Sequence, residues 1–214
     1  MSSAVILVSD NLNTQIKNIC ILSDKEYQTI VYDWNKTETP YPKNKTIHQL
    51  FEEQVEKTPD NIAVVFEDQK LSYRELNNRA NQLAHTIRKE YKYYWNQEVK
   101  GDTLVGIYID RSIEMIISIL GILKAGAAYV PFDKADPEER LKFKINDCGC
   151  KMILTSSKMV ENLVFLTEMD TLPVSIDRYW CEIQKATISN PHQINKSTDL
   201  AYIIYTSGST GNPK

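Results

Sequence analysis

Long apolar runs, a strong net charge and a secretion signal are all lacking in this sequence. No apolar run approaches the roughly 20 residues that a membrane-spanning helix requires, and the early run from Ala4 to Val8 is too short for the core of a signal peptide. The 25 basic and 28 acidic residues give a formal net charge of −3, which disfavours nucleic-acid binding by phosphate neutralisation. We therefore expect a cytoplasmic protein that binds neither membranes nor nucleic acids.

Metal-ligand spacings are also lacking among the cysteines and histidines. Of the four cysteines only Cys148 and Cys150 are close together, whereas a zinc ribbon needs two spaced cysteine pairs, or a cysteine pair with a histidine pair. His48, His85 and His192 are far apart. His48 and His85 fall within helical patterns, so we expect them at surface or half-buried positions. We predict no metal-ligating residue, and we interpret the cysteines as reduced structural thiols.

The apolar residues suffice for a core without disulfides or metals. They make up 42% of the 214 residues, beside 25% charged residues, a mixture typical of globular domains. A folded chain of this size buries about 70% of the surface that it exposes when unfolded. The composition therefore excludes collagen-like and wholly disordered chains.

Strand and helix patterns alternate from Thr46 onward. Thr46 with Gln49, and Ser72 with Glu75, form capping boxes that predict two helix starts. A β-branched run at 62–66 and a return at 70–72 predict a β-hairpin. Five further apolar runs are predicted as strands: 103–109, 127–131, 151–155, 172–176 and 200–205. This alternation predicts an α/β fold, a layered structure with a mainly parallel sheet flanked by helices.

Local signals also predict the helices between these strands. Ser112 begins one helix and Gly126 ends it. Asp136 is predicted to cap the next helix, with Pro137 as its first helical residue. A third helix is predicted over 158–169.

Other stretches have no periodic apolar pattern. Residues 89–100, rich in Lys and Tyr, are predicted to be an exposed loop, and 177–198 are predicted to be irregular. Residues 1–45 are predicted to be an N-terminal extension and linker. Within it, 24–34 is predicted to form a short helix, and 35–45, which contains Pro40-Tyr41-Pro42, is predicted to be extended.

The chemistry of the chain is concentrated in the loop that follows the last predicted strand. Hydroxyl, glycine and lysine residues crowd together in this loop: Thr206, Ser207, Gly208, Ser209, Thr210, Gly211 and Lys214. Glycine lets the backbone approach a phosphate closely, hydroxyls add neutral donors, and lysine adds a compact positive charge. A loop after a sheet strand is also where α/β folds bind ligands. These residues therefore indicate a site for an anion or a nucleotide phosphate.

Two alternatives remain for the glycines. The loop is not a Walker motif, since Gly208 and Gly211 are three residues apart and Pro213 precedes the lysine, and its composition is also that of a flexible linker. Gly121 and Gly126 have a phosphate-loop spacing, but helix packing and helix capping explain them better.

Three ordered motifs make the chain resemble a known family. The segment Leu200–Lys214, LAYIIYTSGSTGNPK, closely resembles the phosphate-binding core motif of adenylate-forming enzymes, in the version found in adenylation domains of nonribosomal peptide synthetases. LSYREL, at Leu71–Leu76, resembles the first core motif of those domains. LKAGAAYVPFD, at Leu123–Asp133, resembles the second, with Phe132 where Ile or Leu is usual.

The resemblance extends over about residues 46–214 and is strengthened by two further segments, Thr46–Val65 and Asp136–Leu141. It implies that this region is a truncated N-terminal part of an AMP-binding domain, with an incomplete version of the fold of the large subdomain. Residues 1–45 look like the end of a linker that follows a condensation domain. The segment Tyr91–Glu98 departs from the shorter link that is common in the family, and no function is assigned to it.

The resemblance implies a reaction and its participants. An amino or aryl acid and ATP with magnesium give an acyl-adenylate and pyrophosphate, and the acyl group then passes to a phosphopantetheine thiol on a carrier domain. The implied partners are therefore the acid substrate and the carrier and condensation domains of a synthetase. The loop residues from Thr206 to Gly211, together with Lys214, are the implied contacts for the ATP phosphates.

The family's later motifs lie beyond Lys214, including the acyl pocket, the magnesium and ribose contacts and the catalytic lysine. We therefore predict no catalytic residue within this chain and no activity of the 214-residue piece alone. The alternatives are a non-catalytic interaction module that keeps the fold, and half of a split adenylation enzyme that needs a second chain. An unrelated nucleotide-binding protein is disfavoured, because the two earlier motifs would then match by chance.

Overall fold

The computed structural model describes residues 22–206 and divides the chain into two compact units, residues 1–42 and 43–214. In the first unit, helix α1 (Asp24–Tyr27) begins at a capping box between Ser23 and Glu26. It continues as a π-helix over Gln28–Asp33. The helix predicted over 24–34 is thus confirmed, although its second half has the wider π geometry.

The second unit contains the strands and helices of an α/β fold. Its strands are β1 (Ile62–Phe66), β2 (Gln69–Ser72), β3 (Leu104–Tyr108), β4 (Ala128–Pro131), β5 (Met152–Thr155) and β6 (Leu172–Ser175). Its helices are α2 (Ile47–Lys57), α3 (Tyr73–Trp95), α4 (Ile113–Ala125), α5 (Glu138–Cys148), a 3₁₀ segment (Val160–Glu168) and α6 (Ile176–Ile183).

The main sheet is parallel and has the spatial order β4-β3-β5-β6. The chain therefore moves outward from β3 to β4 on one side and from β5 to β6 on the other. Strands β1 and β2 pair separately as the predicted antiparallel hairpin. The parallel α/β layer predicted from the sequence is confirmed.

Alternating side chains of the sheet belong to two separate cores. Val105 and Ile107 of β3 pack with helices α3, α4 and α6 in one core. Tyr108 of β3 and Ile153 of β5 belong to the other, with α5 and the 3₁₀ segment. Because successive strand residues point to opposite faces, a continuous apolar strand supplies both cores.

Most of the predicted helix ends are confirmed. Thr46 and Ser72 start α2 and α3 with the expected capping boxes, and Ser112 accepts a hydrogen bond from the backbone of Met115. Gly126 ends α4 with φ of 87°, in the left-handed region that favours glycine.

The loop predicted over 89–100 is wrong, because α3 continues to Trp95. Tyr91 extends the apolar stripe of Ile87 by one further helical turn and is buried. Its ring lies 5.0 Å from that of Trp95, four residues on. The left-handed Asn96 then ends the helix. The Lys/Tyr composition hid this stripe, because tyrosine can bury its ring and still reach water.

Helix α5 begins one residue later than predicted. Pro137 is its N-cap rather than its first helical residue, and Asp136 is not the cap. Instead, the Asp136 carboxylate pairs with the ammonium group of Lys144, and both side chains are nearly buried. An ion pair with a residue two turns further along the same helix has thus replaced the capping contact.

Three further segments also differ from prediction. The helix expected over 158–169 is a 3₁₀ segment with a kink at Leu163. Helix α6 begins at Ile176 and covers the first residues of the stretch 177–198 that was expected to be irregular, and it buries Ile176 and Ile183. The fifth strand, expected at 200–205, forms only one isolated parallel bridge, at Tyr202.

Within residues 22–206, no helix is both long and apolar enough to cross a membrane.

Candidate functional site at the carboxyl edge of the sheet

The segment 200–206 runs beside β4 and leads to the predicted phosphate loop. Tyr129 of β4 donates from its backbone to the Ala201 carbonyl at 3.1 Å, and Ile203 donates to the Tyr129 carbonyl at 3.0 Å. The bridge between Tyr129 and Tyr202 is parallel. The chain therefore leaves this segment at the edge of the sheet where β3, β4, β5 and β6 also end, which is the edge where open α/β sheets bind ligands.

Tyr205 anchors the end of this segment to helix α5. Its hydroxyl donates to the carboxylate of Asp147 at 2.6 Å and approaches the carbonyl of Lys144 at 3.3 Å. Burial raises the pKa of this phenol well above its usual value, and the hydrogen bond to Asp147 adds to that effect. Tyr205 is therefore a neutral donor that holds the backbone immediately before Thr206.

Lys144 supports this anchor from the side. Its ammonium group lies 5.9 Å from the centre of the Tyr205 ring and is held by Asp136 at the start of the same helix. Lys144 is buried, and a buried charge is costly unless it is paired. The ion pair therefore fixes both the first turn of α5 and the surface against which Tyr205 rests.

Only the first residue of the predicted phosphate loop is described. Thr206 is exposed and follows the anchored Tyr205. The other predicted contacts, Ser207, Gly208, Ser209, Thr210, Gly211 and Lys214, lie outside the described residues. Sequence reasoning did not find Tyr205 or its partner Asp147, because they are 58 residues apart in the chain.

The motif at 71–76 has a structural role and supplies no side chain to the candidate site. Leu71 and Leu76 are buried in the first core. Ser72 and Glu75 form the capping box of α3, and Arg74 forms an exposed ion pair with Asp60 at 3.0 Å. The motif thus fixes the turn from the hairpin into α3, and in the structure its side chains serve packing and capping.

The motif at 123–133 places β4 beside the segment that carries the loop. Lys124 is buried and forms an ion pair with Glu52 of α2, while Gly126 makes the left-handed turn into β4. At the other end, the ring of Phe132 lies so close to Gly106 of β3 that any side chain at 106 would collide with it. This close contact brings the ends of β3 and β4 together at the carboxyl edge.

The expected surface or half-buried position of His48 is wrong. His48 is 5% exposed, and its Nε2 lies 3.1 Å from the hydroxyl of Thr46. Burial lowers its pKa to about 4, and the positive charges of Lys124 and Arg88 act in the same direction. The imidazole is therefore neutral near pH 7. His85 is half-buried as expected.

A cleft of about 460 Å³ lies at the carboxyl ends of β3 and β5. It opens between β3, from which the chain goes outward to β4, and β5, from which the chain goes outward to β6. Ligands usually bind at this position in doubly wound sheets. Its charged lining is mixed: Arg111 and Lys158 are basic, and Glu67, Asp110, Glu114 and Asp177 are acidic. Asp177 accepts hydrogen bonds from Ser157 and Ser175.

Comparison with known proteins decides the family. The sequence model of the family described as AMP-binding enzyme matches residues 51–214 of this chain. This chain belongs to the AMP-binding enzyme family. It is 46% identical to bacitracin synthase 1 of Bacillus licheniformis over 211 residues, which are 97% of this chain and 4% of that protein. It is 45% identical to gramicidin S synthase 2 of Brevibacillus brevis over 205 residues, 95% of this chain and 4% of that protein. The chain thus spans only about 4% of the length of each of these two relatives.

Solved structures agree with this assignment. The nonribosomal peptide synthetase FmoA3, solved with α-methyl-L-serine-AMP, superposes with a TM-score of 0.72 at 30% identity, over 85% of this chain and 18% of that one. The N-terminal subdomain of NpsA from Klebsiella oxytoca gives a TM-score of 0.64 at 28% identity, over 81% of this chain and 41% of that one. The fold and the resemblance expected from the sequence, to the N-terminal part of such an adenylation domain, are therefore both confirmed.

Proposed function

We propose that this chain is part of an adenylation domain that activates an amino acid for nonribosomal peptide synthesis. The domain converts a carboxylic acid and ATP to an acyl-adenylate and pyrophosphate. The observation that carries the proposal is the position of the segment 200–206, which leads to the hydroxyl- and glycine-rich sequence. This segment is anchored by Tyr205 and ends at the carboxyl edge of the parallel sheet.

The proposed residues suit the chemistry of this step. A carboxylate is a poor electrophile, and adenylation gives its carbon a good leaving group. Negative charge on the departing phosphates must be stabilised, and donors fixed in advance do this most effectively. In the proposal, Thr206, Ser207, Ser209, Thr210 and the amides of Gly208 and Gly211 donate to those phosphates. Lys214 adds positive charge.

Further participants follow from the same proposal. ATP is the co-substrate and binds with magnesium, although no residue of this chain is assigned as a ligand of the metal. The acyl group is transferred to the phosphopantetheine thiol of a carrier domain, and residues 1–45 connect the adenylation domain to a condensation domain. The cytoplasmic location, the boundary after residue 45 and the inactivity of the 214-residue polypeptide alone remain predictions.

The direct test is ATP–pyrophosphate exchange by the protein encoded by the whole reading frame, across a panel of amino and aryl acids. Exchange that depends on one acid is expected. The substitution Lys214→Ala is expected to reduce it on the order of 100-fold, as the loss of one charge-stabilising group typically does.

The matched control is Lys196→Ala, which removes an exposed lysine from the loop before the same segment. This control is expected to keep the activity of the wild type. If Lys214→Ala exchanges as fast as Lys196→Ala, the assignment of Lys214 is wrong. If no acid supports exchange, the enzymatic proposal itself fails.

A further inference from the structure

The backbone pairing of the segment 200–206 with β4 is short, so other contacts must help to fix its register. Two backbone hydrogen bonds, both with Tyr129, join the segment to the sheet, and the pairing is a single bridge at Tyr202. A long ladder of strand hydrogen bonds would resist slippage. A slip of one residue shifts a strand by about 3.3 Å and turns every side chain to the opposite face.

The register matters because the two faces of the segment differ. Ile203 and Tyr205 pack against the core that includes α5, whereas the residues that alternate with them are exposed. A slip of one residue would withdraw the Tyr205 hydroxyl from Asp147 and would also displace Thr206, the first residue of the predicted phosphate loop. The register therefore decides where that loop leaves the sheet.

A tight turn just before β3 lies beside the start of this segment. Residues 100–103 form a β-turn in which the backbone of Thr103 donates to the Lys100 carbonyl at 3.0 Å. The third residue of the turn, Asp102, is left-handed with φ of 64°, at a position where glycine is the favoured residue. A left-handed residue other than glycine is strained, and strain of this kind persists where neighbouring contacts fix it.

Both central residues of this turn contact the chain where the segment begins. The carboxylate of Asp102 accepts a hydrogen bond from the backbone of Leu200 at 2.8 Å. A Cβ at Gly101 would lie 2.5 Å from a carboxylate oxygen of Asp199, so a larger residue there would push away the neighbour of Leu200. The same carboxylate of Asp199 accepts from the backbone of Lys196 at 2.8 Å. The turn therefore holds the chain at 199–200, at the amino edge of the sheet.

We propose that Asp102 is a positioning residue for ATP binding, because its carboxylate sets the register of the segment 200–206 on β4. This role rests on the proposed function, in which the loop after the segment holds the phosphates. Asp102 fixes the start of the segment at the amino edge of the sheet, and Tyr205 fixes its end at the carboxyl edge. A charged acceptor forms a strong hydrogen bond, so it favours the one register in which the N–H of Leu200 reaches it.

The substitution Asp102→Gly tests this role, because it removes the carboxylate and still allows the left-handed backbone. Relief of strain opposes the loss of the hydrogen bond, so the free energy of unfolding from urea titration should stay close to that of the wild type. In the protein from the whole reading frame, without nucleotide, peptides covering 200–206 should exchange their amide hydrogens on the order of tenfold faster. Asp102→Asn keeps an oxygen acceptor and should exchange as slowly as the wild type.

The matched control is Asn96→Gly, which also replaces an exposed left-handed residue by glycine but lies at the end of α3. It should leave the exchange of 200–206 unchanged. If Asp102→Gly exchanges as slowly as the wild type in these peptides, or if Asn96→Gly accelerates them equally, the carboxylate does not set the register and the proposal is wrong. Faster exchange that is matched by a loss of unfolding free energy shows a role in stability alone and also overturns it.

The effect on ATP binding is measured separately, by ATP–pyrophosphate exchange in the same proteins. Asp102→Gly should raise the Michaelis constant for ATP severalfold and leave that for the acid substrate unchanged, and Asp102→Asn should restore the wild-type value for ATP. If the wild type shows no pyrophosphate exchange, the proposed function has failed while the test by hydrogen exchange stands. If the wild type is active and Asp102→Gly has the same Michaelis constant for ATP, the positioning role is refuted.

Discussion

At the scale of single residues, the contact that matters most for the site is the one between Tyr205 and α5. The phenol is 2.6 Å from the Asp147 carboxylate, and hydrogen bonds to charged groups are stronger than neutral ones. Since Tyr205 immediately precedes Thr206, this contact sets the position from which the loop departs. Its role is therefore positioning and not direct contact with the substrate.

Tyr205→Phe is expected to weaken ATP binding more than it weakens the fold. The substitution removes the hydroxyl and keeps the ring, so the loss in unfolding free energy should stay near 1 kcal/mol. The Michaelis constant for ATP should rise severalfold. The matched control is Tyr202→Phe, whose ring packs 5.6 Å from that of Tyr129 and which is not part of the anchor. Equal ATP constants for the two variants would argue against the anchor.

His48 makes stability depend on pH. Its pKa falls from 6.5 to about 4 in the folded protein, so the unfolded chain binds the proton more tightly. Stability is therefore complete above pH 6.5 and is lost progressively down to about pH 4, by roughly 3 kcal/mol in total. The free energy of unfolding, measured by urea titration at each pH in this range, should change less with pH for His48→Gln than for the wild type. His192→Gln should keep the pH dependence of the wild type. Identical pH dependence in all three proteins would exclude His48 as the cause.

Residue-scale signals were predictable where they are local. The capping boxes at Thr46 and Ser72 depend on a side chain three residues away, and both are present in the structure. The burial of His48 was not predictable, because Lys124 and Arg88 come from other helices. Asp136 was mispredicted for a different reason, because its carboxylate pairs with Lys144, two turns further along the same helix, instead of capping the first turn.

At the scale of secondary-structure elements, the turn at Gly126 connects α4 to β4 and also supports a long surface segment. A side chain at 126 would collide with Ile194. The segment around Ile194 is fastened to α3, since Arg88 donates to the His192 carbonyl at 2.7 Å and Asn81 donates to the Ile188 carbonyl at 2.7 Å.

Two glycine substitutions separate backbone strain from this packing. Gly149→Ala imposes a left-handed alanine with open space around its Cβ, and should cost about 1 kcal/mol. Gly126→Ala adds the collision with Ile194 and should cost about 2–4 kcal/mol. Unfolding free energies from urea titration give both values. If the two variants are equally stable, the packing against Ile194 contributes nothing.

Element boundaries were predictable to the extent that an apolar stripe was visible. The length of α3 was underestimated because tyrosine and tryptophan continue the stripe in a polar context. Helix α6 was missed because it has only eight residues, which is short for a periodic pattern, and because it follows β6 with no intervening turn residue.

At the scale of the whole molecule, the parallel sheet determines where chemistry can occur. Parallel strands end at one edge, so the cleft at β3 and β5 and the departure of the loop beside β4 lie on the same side of the sheet. The parallel arrangement was predictable from the alternation of strands and helices. The order β4-β3-β5-β6 was not, because the pairing of distant strands is set by packing of the two cores.

The central claim is that the loop after segment 200–206 holds the phosphates of ATP. Its most direct test is hydrogen exchange of the protein from the whole reading frame, with and without saturating ATP and magnesium. Peptides covering 203–214 are expected to exchange roughly tenfold more slowly with the nucleotide bound. If ATP protects other segments while these peptides exchange at the same rate as in the free protein, the claim is contradicted.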